Sequence, residues 1–311
     1  MARRKKTQDP GTGTAYKRNS KRVINKDGSF NVLRSGLKPS YRNSYQALIK
    51  MSWPKFFLVI FTFLICVNLL FSLLYVVTGV DGISSVVPGT FGEDLLNAFF
   101  FSFQSFTTVG YGAMAPISTD THVIVLIETV AGWLCFALVT GILYGRFSRP
   151  SARLKYSHNI LIAPYRNGLN CLQFRIANMR KSMLINMEAT VLLVLLDKHG
   201  NSSSRQFLPL ELERDQILFF PLNWTIVHPI DEKSPLSGMT QEELKELDME
   251  VLILIKGFDD TFSQTVHSRY SYKCDELIWG AKFIPAYDTV DSGDFMLYFE
   301  KMDHYEEMEL N

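Results

Sequence analysis

Two long apolar runs stand out of an otherwise mixed chain. Phe56 to Val80 is dominated by Phe, Leu, Ile and Val and carries no charge. Its length exceeds the roughly 20 residues a helix needs to cross hydrocarbon. Thr121 to Tyr144 is equally apolar apart from His122 and Glu128. Two membrane spans are therefore predicted, at about 54–80 and about 120–147. Between them, Asp94 to Phe106 is strongly apolar but too short to cross, the length of a re-entrant or buried segment. Non-helical backbone is tolerated at membrane depth only where protein or a water-filled cavity surrounds it. The pattern thus predicts a short helix over 94–107 that dips in and returns, within a two-span unit over 53–150.

The rhythm changes outside that unit. Met187 to Leu196, Gln216 to Phe220 and Met249 to Ile255 are short apolar or alternating runs, with turn signals at His199-Gly200-Asn201 and Lys256-Gly257. Many short strands at this spacing predict an all-β sandwich over 151–311, ending in an acidic C-terminal tail. Before the first span, Tyr41 to Ser52 is amphipathic. Tyr41, Tyr45, Leu48 and Ser52 share one face, and Arg42, Asn43, Gln46 and Lys50 oppose them. An interfacial helix over 41–52 is expected. The first 30 residues are rich in Lys, Arg, Gly and Ser and are expected to be disordered, within an N-terminal tail over 1–40.

Charge adds direction. The net value of +1 over 311 residues points to no bulk acidic or basic partner, nucleic acid included. From Asp81 to Asp120 there is no Lys or Arg, whereas Lys50 and Lys55 precede the first span and Arg146, Arg149, Arg153 and Lys155 follow the second. The positive-inside rule then puts both termini in the cytoplasm and the dipping segment outside, in the cell inner (plasma) membrane. An acidic outer mouth concentrates cations. No secretory signal peptide is expected, since the first apolar run starts near Phe56. Cys66, Cys135, Cys171 and Cys274 lack metal-ligand spacing and are expected to be buried free thiols.

Thr108-Val109-Gly110-Tyr111-Gly112 directly follows the dip. This pentapeptide is the signature of a potassium-selective filter. Gly110 and Gly112 lack a β-carbon and can turn their carbonyls toward a common axis. Val109 and Tyr111 are then expected to point away and pack against the supporting helix, while the Thr108 hydroxyl adds the innermost oxygens. One strand supplies only part of a coordination cage, so a homotetramer is expected. Potassium at the filter carbonyls is the only bound ion expected; no other cofactor or metal is.

At this point the chain resembles the prokaryotic inward-rectifier potassium channels (KirBac), from about Trp53 to Phe299. The resemblance rests on Trp53-Pro54, the Phe-rich pore helix with its filter, and Tyr144-Gly145-Arg146-Phe147-Ser148-Arg149-Pro150. It rests equally on Cys171-Leu172-Gln173-Phe174-Arg175-Ile176-Ala177-Asn178-Met179-Arg180, Trp224-Thr225-Ile226-Val227-His228-Pro229-Ile230-Asp231 and Asp275-Glu276-Leu277-Ile278-Trp279-Gly280. It implies an immunoglobulin-like sandwich whose four copies extend the ion path into the cytoplasm. The chain departs from many eukaryotic relatives: no cysteine pair flanks the pore loop, and the basic cluster after the second helix is reduced.

On the second span, Thr129, Phe136, Thr140 and Tyr144 fall within an arc of about 100° at 100° per residue. In a pore module this stripe lines the cavity. The resemblance puts Phe136 and Tyr144 where related channels carry constricting side chains, and strongly rectifying relatives have an acid at the first of these positions; weak rectification is expected here. Glu128, an acid inside a span, is functional by default and lies off the cavity face, suiting filter support. Gly132 and Gly141 are candidate hinges, although Gly also allows close helix packing. Lys50, Lys55, Arg146 and Arg149 are candidates for contact with lipid headgroups, anionic ones above all.

The reading that follows is a potassium channel subunit gated at the inner helices and modulated by the cytoplasmic domain and lipid. The alternative is a two-span potassium channel of another family, gated by a soluble ligand. No Gly-x-Gly-x-x-Gly fingerprint follows a strand. No nucleophile, base and orienting group converge, so the chain is not read as an enzyme, and His228 and His267 are read as packed or interfacial.

Overall fold

A computed structural model describes Gly11 and residues 15–16, 22–33, 35–36, 41–148, 152–180, 182–199 and 202–311. The chain divides into two compact units, Gly36–Arg149 and the pair of segments Met1–Ser35 and Pro150–Asn311.

The first unit is helical: α1 (Tyr41–Lys50), α2 (Trp53–Thr78), α3 (Phe91–Phe106) and α4 (Thr119–Phe147). Ser52 and Pro54 open α2, proline being tolerated in the first turn. Gly79, with φ +102°, ends it. Helix α3 starts three residues before the expected Asp94. The cause is a capping box in which the Glu93 carboxylate accepts from both the N–H and the hydroxyl of Thr90 at 2.9 Å. Among the described residues, α2 and α4 are the two helices long and apolar enough to cross a membrane. Their outward side chains, such as Leu58, Phe61, Leu126 and Leu138, are exposed, as hydrocarbon contact requires. A core of Phe71, Tyr75, Ala98, Phe101 and Phe106 joins α2 to α3, and Ile124, Val125 and Ala131 of α4 pack on it.

The second unit is a two-sheet β-sandwich. In one sheet β3 (Ile160–Pro164) and β4 (Asn170–Asn178) pair antiparallel. This sheet also holds β2 (Leu154–Tyr156), β8 (Asn223–Ile230) and β11 (Leu277–Trp279), the last parallel to β3. The other sheet runs in the order β1 (Ala15–Tyr16), β6 (Ser202–Pro209), β5 (Leu184–His199), β9 (Glu250–Asp259), β10 (Gln264–Lys273), with β7 (Gln216–Phe219) also on β5. Ile162, Leu172, Phe174 and Ile176 of one sheet meet Met187, Val191, Leu193, Ile253 and Tyr272 of the other in a single core. His228 is buried, its ring nitrogens 2.6 Å from the Glu211 carbonyl and 2.8 Å from the Ser234 hydroxyl, whereas His267 is exposed.

Several expectations need correction. Lys256-Gly257 is not a turn: β9 runs through it to Asp259, and the chain turns at 260–263. Gly257 lets the Met187 side chain pack close against β9, where a β-carbon would make its sulfur shift. The His199-Gly200-Asn201 turn lies partly outside the described residues. The acidic C-terminus is no free tail. A last strand (Tyr305–Glu307) pairs with β12 (Ala281–Phe283), and the Asn311 N–H donates to the Asn170 side chain at 3.0 Å. Of the first 30 residues, Ala15–Tyr16 form β1, and 22–30 dock on the sandwich rather than being disordered. Val23 and Ile24 are buried against Val194, Phe207 and Leu252. The Val23 N–H donates to the buried Glu250 carboxylate at 2.8 Å, and Ser271 Oγ donates to the Ile24 carbonyl at 2.7 Å. Of the cysteines, Cys171 is buried, Cys135 and Cys274 are half-buried, and Cys66 is exposed on α2.

Candidate ion pathway

Residues 108–112 leave α3 through an ordered set of amide contacts. The N–H of Thr108 donates to the Ser105 carbonyl at 3.1 Å. Those of Val109 and Gly110 both donate to the Gln104 carbonyl, at 2.9 and 3.3 Å. The N–H of Tyr111 donates to Gln104 Oε1 at 3.3 Å. Four successive N–H groups thus face the end of α3. No peptide here is cis, so each carbonyl points opposite to the N–H of its own peptide. The carbonyls of residues 107 to 110 therefore share the side facing away from α3. Backbone angles explain how. φ is +58° at Thr108, +54° at Gly110 and +83° at Gly112, left-handed at every second residue. Alternating hand aligns successive peptide dipoles, which an ordinary extended strand would alternate.

Two features of this strand were missed. Thr108, not a glycine, takes a left-handed conformation that costs a β-carbon-bearing residue about 1–2 kcal/mol, and the neighbouring amide contacts hold it there. Gln104 was unmarked in sequence because its role depends on the turn that brings residues five to seven positions downstream back over it. Within a single chain Val109 and Tyr111 remain 53% and 82% exposed, so α3 of the same chain covers them only in part.

Behind the strand, α3 is tied to both long helices. Glu128 of α4 is fully buried. The Tyr75 hydroxyl of α2 donates to its Oε2 at 2.5 Å, and its Oε1 contacts Ser102 Oγ of α3. Gly132 is buried where a β-carbon would strike the Phe106 backbone carbonyl. The structure therefore gives Gly132 a packing reason, while Gly141 has open space around it; α4 runs unbroken through both. After the strand, the Ser84 N–H donates to the Ala115 carbonyl and the Ile117 N–H to the Gly82 carbonyl, both at 2.8 Å.

Of the α4 stripe, Thr129 is half-buried, and Phe136, Thr140 and Tyr144 are exposed. A cavity of about 400 Å³ lies beside Thr107, Thr108 and Phe136, bounded by Ile60 and Leu64 of α2. Lys50 and Lys55 are exposed, and Arg149 lies outside the described residues. Arg146 is not free for a headgroup. Its guanidinium donates to the carbonyls of Leu48, Ile49 and Met51, the last at 2.7 Å, capping the end of α1. It also lies 4.4 Å above the rings of both Trp53 and Phe56.

Comparison with known proteins identifies the family. Residues 154–311 match the family described as inward rectifier potassium channel C-terminal domain, and 56–149 match the ion channel family. The chain is 37% identical over 277 residues to inward rectifier potassium channel Kirbac3.1 of Paramagnetospirillum magnetotacticum, covering 88% of this chain and 91% of that one. It is 29% identical to ATP-sensitive inward rectifier potassium channel 15 of Homo sapiens, over 94% of this chain and 84% of the relative. It is 27% identical to G protein-activated inward rectifier potassium channel 2 of Rattus norvegicus, over 88% and 69%. These are channels, not enzymes, and the reading as a two-span channel of another family falls away. The chain belongs to the inward rectifier potassium channel family and is a membrane-embedded potassium channel subunit.

Proposed function

We propose that four copies of the chain surround one path, with Thr108, Val109, Gly110, Tyr111 and Gly112 of each copy forming its potassium-selective wall. The observation that carries this is the row of four N–H groups turned into α3, which leaves the carbonyls on the opposite side. Carbonyl oxygens from several strands can replace the hydration shell that a potassium ion sheds. The partially negative C-terminal end of α3, at Phe106, adds attraction for a cation. Exposed Val109 and Tyr111 favour neighbours that cover them. Potassium is the only bound group this reading requires.

In the same reading Thr129 and Thr140 line the cavity, and the exposed aromatics Phe136 and Tyr144 narrow it. Four-fold rings of such side chains stop ions by dewetting, with no charge needed. Phe136 offers polyamines and magnesium no carboxylate, so rectification from this position is weak. Gly141 is the bending point. Glu128 braces the filter through α3. Both termini lie in the cytoplasm of a plasma-membrane protein, as the Lys and Arg asymmetry supports. Lys50 and Lys55 then sit at headgroup level, where anionic lipid attracts each by about 1 kcal/mol.

Native mass measurement of the purified channel tests the assembly. Four chains of 35.5 kDa are expected; a monomer or dimer that still conducts potassium would remove the proposal.

A further inference from the structure

The buried contacts around Glu128 contain more oxygen pairs than the hydroxyl groups can supply with protons. Tyr75 Oη meets Glu128 Oε2 at 2.5 Å, Ser102 Oγ meets Glu128 Oε1, and Ser102 Oγ also meets Asn68 Oδ1 at 3.0 Å and the Asn68 carbonyl at 3.2 Å. The amide cannot be turned round to supply a hydrogen, because Asn68 Nδ2 donates to the Leu64 carbonyl at 2.8 Å, and a reversed amide would set oxygen against oxygen there. The Ser72 hydroxyl is engaged as well, donating to the Asn68 carbonyl at 2.6 Å. Four oxygen–oxygen contacts therefore share two hydroxyl hydrogens, those of Tyr75 and Ser102; with the Ser102 hydrogen forked between the two Asn68 oxygens, none is left for the contact with Glu128 Oε1. A third proton is required, and the Glu128 carboxyl is the group that can carry it.

Charge leads to the same place. No Lys or Arg occurs from residue 56 to 145, in this or any other copy of the chain. Of the elements packed around Glu128, α2 offers Tyr75 alone, since Lys55 lies exposed in its first turn. The acids of α3, Glu93 and Asp94, stand at its opposite end, and His122 and Asp120 are exposed at the start of α4. A buried carboxylate here has no partner of opposite charge, the arrangement in which an acid keeps its proton.

We propose that Glu128 is held as an undissociated carboxylic acid. It donates to Ser102, which donates on to Asn68, while Tyr75 donates to the other oxygen. This proton completes the tie that sets α3 between α2 and α4. The inference rests on the reading of Glu128 as the brace of the filter helix, and its test separates the two. Infrared difference spectra of reconstituted wild type minus Glu128→Gln should show the carbonyl stretch of an undissociated acid, shifted in heavy water. A carboxylate stretch in its place overturns the proposal. Should Glu128→Gln fail to assemble, Tyr75→Phe serves, because losing the donor to Oε2 must move the same band to higher frequency; no movement counts against the chain of contacts. Ion selectivity reads the brace separately. Glu128→Ala should lower the preference for potassium over sodium about tenfold, and Glu128→Gln, which keeps one donor and one acceptor, should recover most of it. Full selectivity in Glu128→Ala would refute the brace while leaving the infrared result to decide the proton.

Discussion

A buried amide residue can hold backbone through its main-chain carbonyl and through its side chain, and Gln104 uses both. Its carbonyl takes the N–H groups of Val109 and Gly110, and its Oε1 takes that of Tyr111. One residue outside the pentapeptide thus fixes the direction of three peptides within it. The two α4 glycines show how similar residues part company on contact. A methyl group at 132 must push against the Phe106 carbonyl, which lies two residues before the start of the candidate filter, whereas at 141 it meets nothing within 4 Å. Gly132→Ala is expected to destabilise the helical unit by about 1–3 kcal/mol, the range for overpacking a tight site. Gly141→Ala should leave the melting temperature of the detergent-solubilised protein unchanged or slightly raised. Equal effects in thermal denaturation would show that close approach of α4 to α3 is not what Gly132 provides.

Among the elements, the segment 22–30 is the least expected. Its hairpin closes through an Ile24–Phe30 bridge, and Gly28, with φ +79°, passes close to the Arg269 backbone. Arg22 and Lys26 both pair with Glu276. Burial pushes the Glu276 carboxyl up, but Lys26, the Lys273 N–H and Arg22 outweigh it and hold the group below the usual carboxylate range. A depressed acid stabilises the docked segment above the ordinary glutamate range, and that contribution is lost as pH falls through the lowered value. Glu276→Gln should therefore loosen 22–30 at neutral pH by about 1–2 kcal/mol. Hydrogen exchange there should be roughly tenfold faster, and the further loosening seen in acid should shrink. Exchange unchanged by the substitution would mean that Val23, Ile24 and Glu250 hold the segment without the ion pairs. On α4, the aromatic stripe makes its own prediction. Replacing Phe136 and Tyr144 together with Ala should raise the resting open probability of single channels severalfold, because four small side chains leave a wetted path. Unchanged gating in patch recordings would count against these residues as the constriction.

At the scale of the whole molecule, the two-unit plan was legible because it is written in length and period. Apolar runs long enough to span, one run too short, and alternating strands beyond residue 150 each carry a signal that needs no tertiary information. The β-sandwich followed from the same rhythm. What was not legible depends on contacts between distant residues. Val23 and Ile24 are two apolar positions in a basic stretch, too few for any periodicity, and only the outer face of β5, β6 and β9 gives them a place. Gly257 read as a turn because the Met187 sulfur against which it packs is 70 residues away. Arg146 read as a free basic residue because the carbonyls it caps belong to α1, nearly a hundred residues earlier. The pentapeptide itself was legible, while Gln104 and the left-handed Thr108 that set its carbonyls were not.

The central claim is that aligned backbone carbonyls, supplied by identical copies of one strand, select potassium. Flux through purified channels in liposomes loaded with potassium tests it most directly. The account predicts cation uptake driven by the potassium gradient, blocked by barium and absent when sodium replaces potassium. Uptake that runs equally well on sodium would contradict it.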